Sequence, residues 1–201
     1  MIRTRMENKI RLGILGSGKG SNFAAILREA RAGKLAVEIA AVASDMPGAG
    51  ILQLAQEAGL PHAVFPESKF RTKLTPEVEQ ALADYLKKAG ADWLILAGYM
   101  RVLKAPLLDA FPGKIINIHP SLLPKFRGLA AWKQALEAGE TETGCTVHFV
   151  DAGVDTGKII AQVRVPILSG DTAETVHARI QAEEHRLYPE VIARIVSGDL
   201  N

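Results

Sequence analysis

Residues 10–33 read IRLGILGSGKGSNFAAILREARAG. Ile10 to Leu15 form an apolar run with the length and composition of a buried strand. Glycines and small polar residues come next, and from Asn22 apolar side chains recur at helical spacing until Gly33 stops the pattern. Strand, glycine turn and helix make one half of a parallel crossover unit, so the next question is whether the chain repeats it.

It does. VEIAAVAS (37–44) reads as a second buried strand and GAGILQLAQEAG (48–59) as a second helix with a glycine stop. HAVF (62–65) is a short third strand. In TPEVEQALADYLKKAG (75–90), Thr75 is placed to cap a helix, Pro76 to begin it and Gly90 to end it. DWLILAG (92–98) is a fourth strand, residues 105–110 a short helical piece, and KIINIH (114–119) a fifth strand. Strands apolar on both faces, alternating with helices, predict a parallel sheet covered on both sides. GCTVHFV (144–150) and KIIAQVRVPI (158–167) then flank the connection DAGVDTG, which reads as two further strands in antiparallel pairing. A helix from Thr172 to about Leu187 closes the pattern. Residues 1–201 are read as one domain behind a ragged tail at 1–8, since the chain contains no linker, repeat or low-complexity stretch.

Of 201 residues 48% are hydrophobic, and the net charge is +2, so bulk charge implies no polyanion partner. A single cysteine, Cys145, excludes an internal disulfide and a cysteine zinc cluster, and fits a reducing compartment. No run reaches the roughly 20 apolar residues that span a bilayer. The reading is a soluble cytoplasmic protein.

The glycine loop fits neither common nucleotide template. A Walker A loop needs a hydroxyl where Gly20 stands, and a dinucleotide fingerprint needs a third glycine where Ser21 or Phe23 stands. The remaining reading is a helix start with free amides, Ser21 and Asn22 as donors and Lys19 as a charge, which suits a phosphate. Asp45, after the second strand, is read as a loop residue capping the next helix.

NIHPSLLP (117–124) holds the second signal. Asn117 and His119 stand two apart on a strand, so both leave the same face, and Pro120 stiffens the turn beyond them. Ser121 is expected to bond within the turn, and Leu123–Pro124 to be cis. Parallel strands deliver ligand-binding loops at their carboxyl ends. Residues 16–22, Gly98 to Arg101 and Asn117/His119 therefore fall at one sheet edge, with Asp151 and Asp155 nearby. An amide can donate to a developing oxyanion. An imidazole can carry a proton, and a carboxylate can hold that imidazole and raise its pKa. This set can perform acyl-type transfer without a covalent intermediate. Cys145 reads as a buried inert thiol, and His62, His148, His177 and His185 show no metal spacing, so no metal is expected.

SGKGSN (17–22), LAGYMRVL (96–103), NIHPSLLP (117–124), HFVDAGVDTG (148–157) and EEHRLYP (183–189) together resemble the phosphoribosylglycinamide formyltransferases, or glycinamide ribonucleotide transformylases. These form part of the 10-formyltetrahydrofolate formyltransferase family, and the likeness covers nearly the whole chain in matching order. It implies a Rossmann-like, doubly wound, mostly parallel α/β sheet with an antiparallel C-terminal portion. It also implies transfer of a formyl group from 10-formyltetrahydrofolate to the glycinamide amine of 5-phosphoribosylglycinamide in purine (IMP) synthesis, by a monomer or homodimer with no nucleic acid or membrane partner. By the same resemblance Asn117, His119 and Asp155 would be catalytic. Gly20, Ser21, Asn22 and Glu184 would hold the ribonucleotide. Met100, Arg101, Val102 and Leu103 would line the folate pocket, with Asn117, Asp151 and a basic residue at Arg71 or Lys73. Asp155 would keep His119 charged. Three positions depart from the family pattern: Lys19, FRGLAAW (126–132) and Lys158. A relative with another amine acceptor, or a formyltetrahydrofolate hydrolase, is the alternative.

Overall fold

The computed structural model describes residues 9–67 and 69–200. The tail expected at 1–8 lies outside them. Seven strands form one sheet: β1 (Ile10–Leu15), β2 (Val37–Ser44), β3 (His62–Val64), β4 (Trp93–Leu96), β5 (Ile115–His119), β6 (Glu142–Phe149) and β7 (Ile159–Pro166). Their order is β3-β2-β1-β4-β5-β6-β7. β1 to β5 pair in parallel, while β5–β6 and β6–β7 are antiparallel. The order reverses direction at β1 and β4, and such a switch point opens a crevice at the strands' carboxyl ends.

The helices are α1 (Ser21–Arg31), α2 (Gly50–Glu57), α3 (Pro76–Lys88), α4 (Ala105–Ala110), α5 (Ala131–Glu137) and α6 (Ala173–Ser197). Two apolar layers flank the sheet. One gathers Phe23 and Ile26 of α1 with Tyr188, Val191 and Ile192 of α6; the other gathers Leu82 and Leu86 of α3 with Leu107 and Phe111. Thr75 caps α3 as expected, its side chain accepting from the Val78 amide. Thr172 opens α6 in a reciprocal capping box with Thr175. Ser121 donates to the Lys125 carbonyl at 2.7 Å, and Leu123–Pro124 is cis.

Two helices differ from the sequence reading. α6 runs ten residues past Leu187, through Pro189 to Ser197. Proline there removes one backbone bond, but Tyr188, Val191, Ile192 and Ile195 beyond or beside it are all buried. Burying such side chains is worth about 1.5–3 kcal/mol each, which outweighs the interruption. α5 carries no start signal: its cap is Ala130 in the left-handed region, with no side-chain hydrogen bond.

Candidate active site

A cavity of about 770 Å³ opens where β1, β4 and β5 end. One wall is the glycine loop and first turn of α1. Gly20 has φ +81°, and a Cβ there would lie 2.9 Å from the Ile51 Cα, so only glycine lets the loop pass under α2. The amides that start α1 border the cavity with no side-chain cap of their own. Across from them α6 presents His177, Gln181 and Glu184, which share a face at i, i+4 and i+7. Asn22 Nδ2 donates to Glu184 Oε2 at 2.9 Å, and both residues are buried. Burial, only partly opposed by that hydrogen bond, pushes the Glu184 carboxyl up to about 7. Asn22 Oδ1 is buried beside it without a partner.

Met100, Arg101, Val102 and Leu103 line another part of the cavity. The Arg101 side chain is committed within the protein. Its Nε donates to Asp45 Oδ2 at 2.6 Å, and its other nitrogens donate to the Phe70 and Glu67 carbonyls. Asp45 also accepts from Ser17 Oγ at 2.5 Å, and Ser17 Oγ accepts from the Met100 amide at 2.9 Å. Asp45 is therefore not a helix cap; the cap position of α2 is Ala49, without a side-chain bond. It ties the glycine loop to the segment after β4. Arg71 is exposed and does not border the cavity, whereas its neighbour Thr72 does.

Asn117, His119 and Asp155 converge on the same space. The register sets this up: antiparallel pairing places Asn117 opposite His148, and His119 opposite Thr146. His119 Nε2 lies 2.8 Å from the Phe126 carbonyl. A carbonyl only accepts, so Nε2 carries a proton. The other ring nitrogen, Nδ1, faces Asp155 Oδ2 at 3.4 Å. Burial pushes the His119 pKa below its ordinary value, and the Asp155 charge and the Phe126 carbonyl oppose this without overcoming it. The expectation that Asp155 keeps His119 charged is corrected: His119 is only 4% exposed, and desolvation wins. Burial alone would raise the Asp155 carboxyl, but His148, whose Nε2 lies 3.6 Å from Oδ1, and His119, both in their protonated forms, together with the Gly128 amide outweigh it and hold it below the usual range.

Asp155 reaches this position with φ +51°, a left-handed conformation that aspartate tolerates better than most residues. Its Oδ2 accepts from the Gly128 amide at 2.8 Å, which pins the 126–130 loop. Asp151 braces the same connection from within, accepting from the Gly153 amide at 2.9 Å and from Thr156 Oγ1 at 2.5 Å. At Gly157 an added Cβ would sit 1.8 Å from the Phe149 carbonyl oxygen, so the hairpin closes only with glycine.

In the sequence His148 reads only as one of the histidines outside any metal spacing. It donates through Nδ1 to the Phe149 carbonyl at 2.8 Å, leaving Nε2 to accept from Asn117 Nδ2 at 3.2 Å. That bond orients the Asn117 amide and leaves its second N–H for the cavity. The signal was available, because antiparallel pairing of the β5 and β6 runs puts His148 beside Asn117. Trp132, His177 and Gln181 also line the cavity; in the sequence Trp132 stands out only as the end of FRGLAAW, His177 only as a histidine outside any metal spacing, and Gln181 not at all.

A family model for formyl transferase matches residues 10–192. The chain belongs to the formyl transferase family. It is 48% identical over 201 residues to the trifunctional purine biosynthetic protein adenosine-3 of Drosophila pseudoobscura pseudoobscura, covering 98% of this chain and 14% of that protein. The chain thus spans about a seventh of that relative's length. It is 42% identical to the phosphoribosylglycinamide formyltransferase of Haemophilus influenzae, covering 94% of this chain and 89% of that one. The crystal structure of glycinamide ribonucleotide transformylase 1 from Symbiobacterium toebii superposes with a TM-score of 0.89 at 48% identity, covering 94% and 89% of the two chains. Among the described residues no helix is long and apolar enough to cross a membrane. Within this formyl transferase fold Cys145 is fully buried in β6, and burial pushes its thiol up to about 12, so it takes no part at the cavity.

Proposed function

We infer that this chain transfers the formyl group of 10-formyltetrahydrofolate to the glycinamide amine of 5-phosphoribosylglycinamide, giving N-formylglycinamide ribonucleotide and tetrahydrofolate in the cytoplasm. One observation carries the reading. A single cavity brings Asn117, His119 and Asp155 together with an uncapped helix N-terminus suited to a phosphate and an apolar segment, Met100 to Leu103, suited to a flat folate ring. The relatives' names support the acceptor and the formyl group; the folate donor is what the sequence resemblance implies.

The geometry supports one order of proton movements. With Nε2–H held by Phe126, the basic lone pair of His119 is on Nδ1, beside Asp155. The acceptor amine attacks the formyl carbon, and the free N–H of Asn117 donates to the oxygen as it becomes an oxyanion. His119 Nδ1 takes the proton that the amine sheds. The resulting imidazolium lies against the Asp155 carboxylate, so the charge forms where a counter-charge already stands. When the carbon–N10 bond breaks, the same proton passes to N10, and tetrahydrofolate leaves neutral at that nitrogen. His119 begins and ends the cycle uncharged, which agrees with its depressed pKa.

Glu184 and the amides of Gly20, Ser21 and Asn22 hold the ribonucleotide in this reading. Met100, Val102 and Leu103 hold the folate. Arg101 acts through its backbone, its guanidinium being engaged by Asp45. The test is folate release from 10-formyltetrahydrofolate, followed by absorbance, with and without glycinamide ribonucleotide. Release that requires the ribonucleotide supports the reading. Release without any acceptor marks a hydrolase instead, and release only with a different amine marks another acceptor.

A further inference from the structure

The stack of Trp132 on His177 belongs to neither the catalytic trio nor the glycine loop. Its rings are parallel within 7°, with centroids 3.9 Å apart, and both residues line the cavity. His177 stands two helical turns before Glu184 on the same face of α6, and Glu184 is bonded to Asn22 in the first turn of α1. His177 therefore lies over the approach to the glycine loop, where Lys19 also borders the cavity. Among the described residues its ring nitrogens make no hydrogen bond to protein.

We propose that His177 is a phosphate-positioning residue, the second cation beside Lys19 at the mouth of the glycine loop, and that it takes up a proton when the phosphomonoester binds. The proposal rests on the ribonucleotide reading above. Three observations support it. A half-buried imidazole with unpartnered nitrogens faces a cavity end that already holds free helix amides and a lysine. The charged groups around it are Lys19 from the loop, Lys133 next to Trp132 on α5, and Glu174 and Glu184 one turn before and two turns after it on α6. In the free protein burial and the Lys19 charge hold the His177 pKa below its ordinary value, so the ring is neutral near pH 7. A phosphate bringing a charge of about −1.5 to −2 reverses that balance. The indole favours a cation against its face, so Trp132 both fixes the ring plane and assists protonation.

The coupling to pH has a definite sign. Below the free His177 pKa the ring is already charged and binding takes up no proton there. Between the free and bound values each binding event takes up part of a proton, and affinity falls as pH rises through the bound value.

The experiment is calorimetric titration of the full chain with glycinamide ribonucleotide and with its dephosphorylated nucleoside, in buffers of different ionisation enthalpy at pH 7. Wild type should bind the nucleotide more tightly and take up protons in doing so. His177→Gln should weaken nucleotide binding about tenfold to a hundredfold, the worth of one charge-assisted hydrogen bond. It should lose the proton uptake and leave nucleoside binding unchanged. Trp132→Leu, which retains the imidazole, should show a smaller loss and reduced uptake. Phosphate-dependent binding with the same affinity and uptake in His177→Gln overturns the role of His177 alone. Equal binding of nucleotide and nucleoside by wild type overturns the phosphate reading and this proposal with it.

Discussion

Replacing Glu184 by glutamine should make the protein more stable and less active, with the stability gain confined to neutral and alkaline pH. Glu184 is 5% exposed and has no cation against it. Raising its carboxyl from an ordinary 4.5 to about 7 corresponds to roughly 3 kcal/mol of discrimination against the charged form. The sign is that of any acid with a raised native pKa. Between about 4.5 and 7 the folded state retains a proton that the unfolded state has lost, so stability declines as pH rises through that window. Glutamine does not ionise. Its oxygen can still accept from Asn22 Nδ2, and its amide can donate to Asn22 Oδ1, the buried atom without a partner. The two proteins should therefore melt together near pH 5. At pH 8 the variant should melt higher by roughly 6–12 °C, taking 2–4 °C per kcal/mol for a chain of this length. Other titrating groups cancel in the difference. Thermal unfolding followed by circular dichroism from pH 5 to 9, with KM for the ribonucleotide measured in parallel, makes the test. A melting difference that does not change with pH would refute the claim that Glu184 ionises at a cost in the native cavity.

Gly20→Ala should raise KM for the ribonucleotide about tenfold or more, because the new Cβ meets α2 at 2.9 Å and displaces amides worth roughly 1.5–3 kcal/mol to a bound anion; the folate KM should move far less, and if both rise equally the loop is misassigned. Asp155→Asn retains the acceptor for the Gly128 amide but removes the charge that receives the imidazolium, so kcat should fall roughly 10²- to 10⁴-fold. In the same variant the NMR titration of His119 should move to still lower pH, since the carboxylate is the largest influence opposing burial; an unmoved midpoint would break the link between the two residues. Asp45→Asn leaves the Arg101 guanidinium buried without its counter-charge, a loss of about 3–5 kcal/mol, read directly as a lower melting temperature.

The order of strands and helices was legible because each βα unit carries its own punctuation: apolar run, glycine, periodic helix. Asn117 and His119 were legible because strand spacing alone puts them on one face. Two things stayed hidden for a common reason. Whether the pKa of His119 ends above or below its ordinary value beside Asp155 depends on how much of the ring is buried, which no local pattern encodes. The commitment of Arg101 to Asp45, 56 residues apart, likewise depends on β2 and β4 flanking β1. Helix α6 runs past the end read near Leu187 because burial of Tyr188, Val191, Ile192 and Ile195 carries it through Pro189, which no local pattern encodes.

The bridge from Ser17 through Asp45 to Arg101 has a thermodynamic consequence. It joins the loop read as the nucleotide cradle to the segment read as the folate wall, so neither can be ordered without restraining the other. A substrate that further orders one segment on binding would restrain the other through this bridge, so the second substrate would meet a site already still. Linkage makes that help reciprocal. The two substrates can thus reinforce one another's occupancy without touching and without any change of shape. The signature would be a smaller entropic penalty for the second substrate than for the same molecule binding alone.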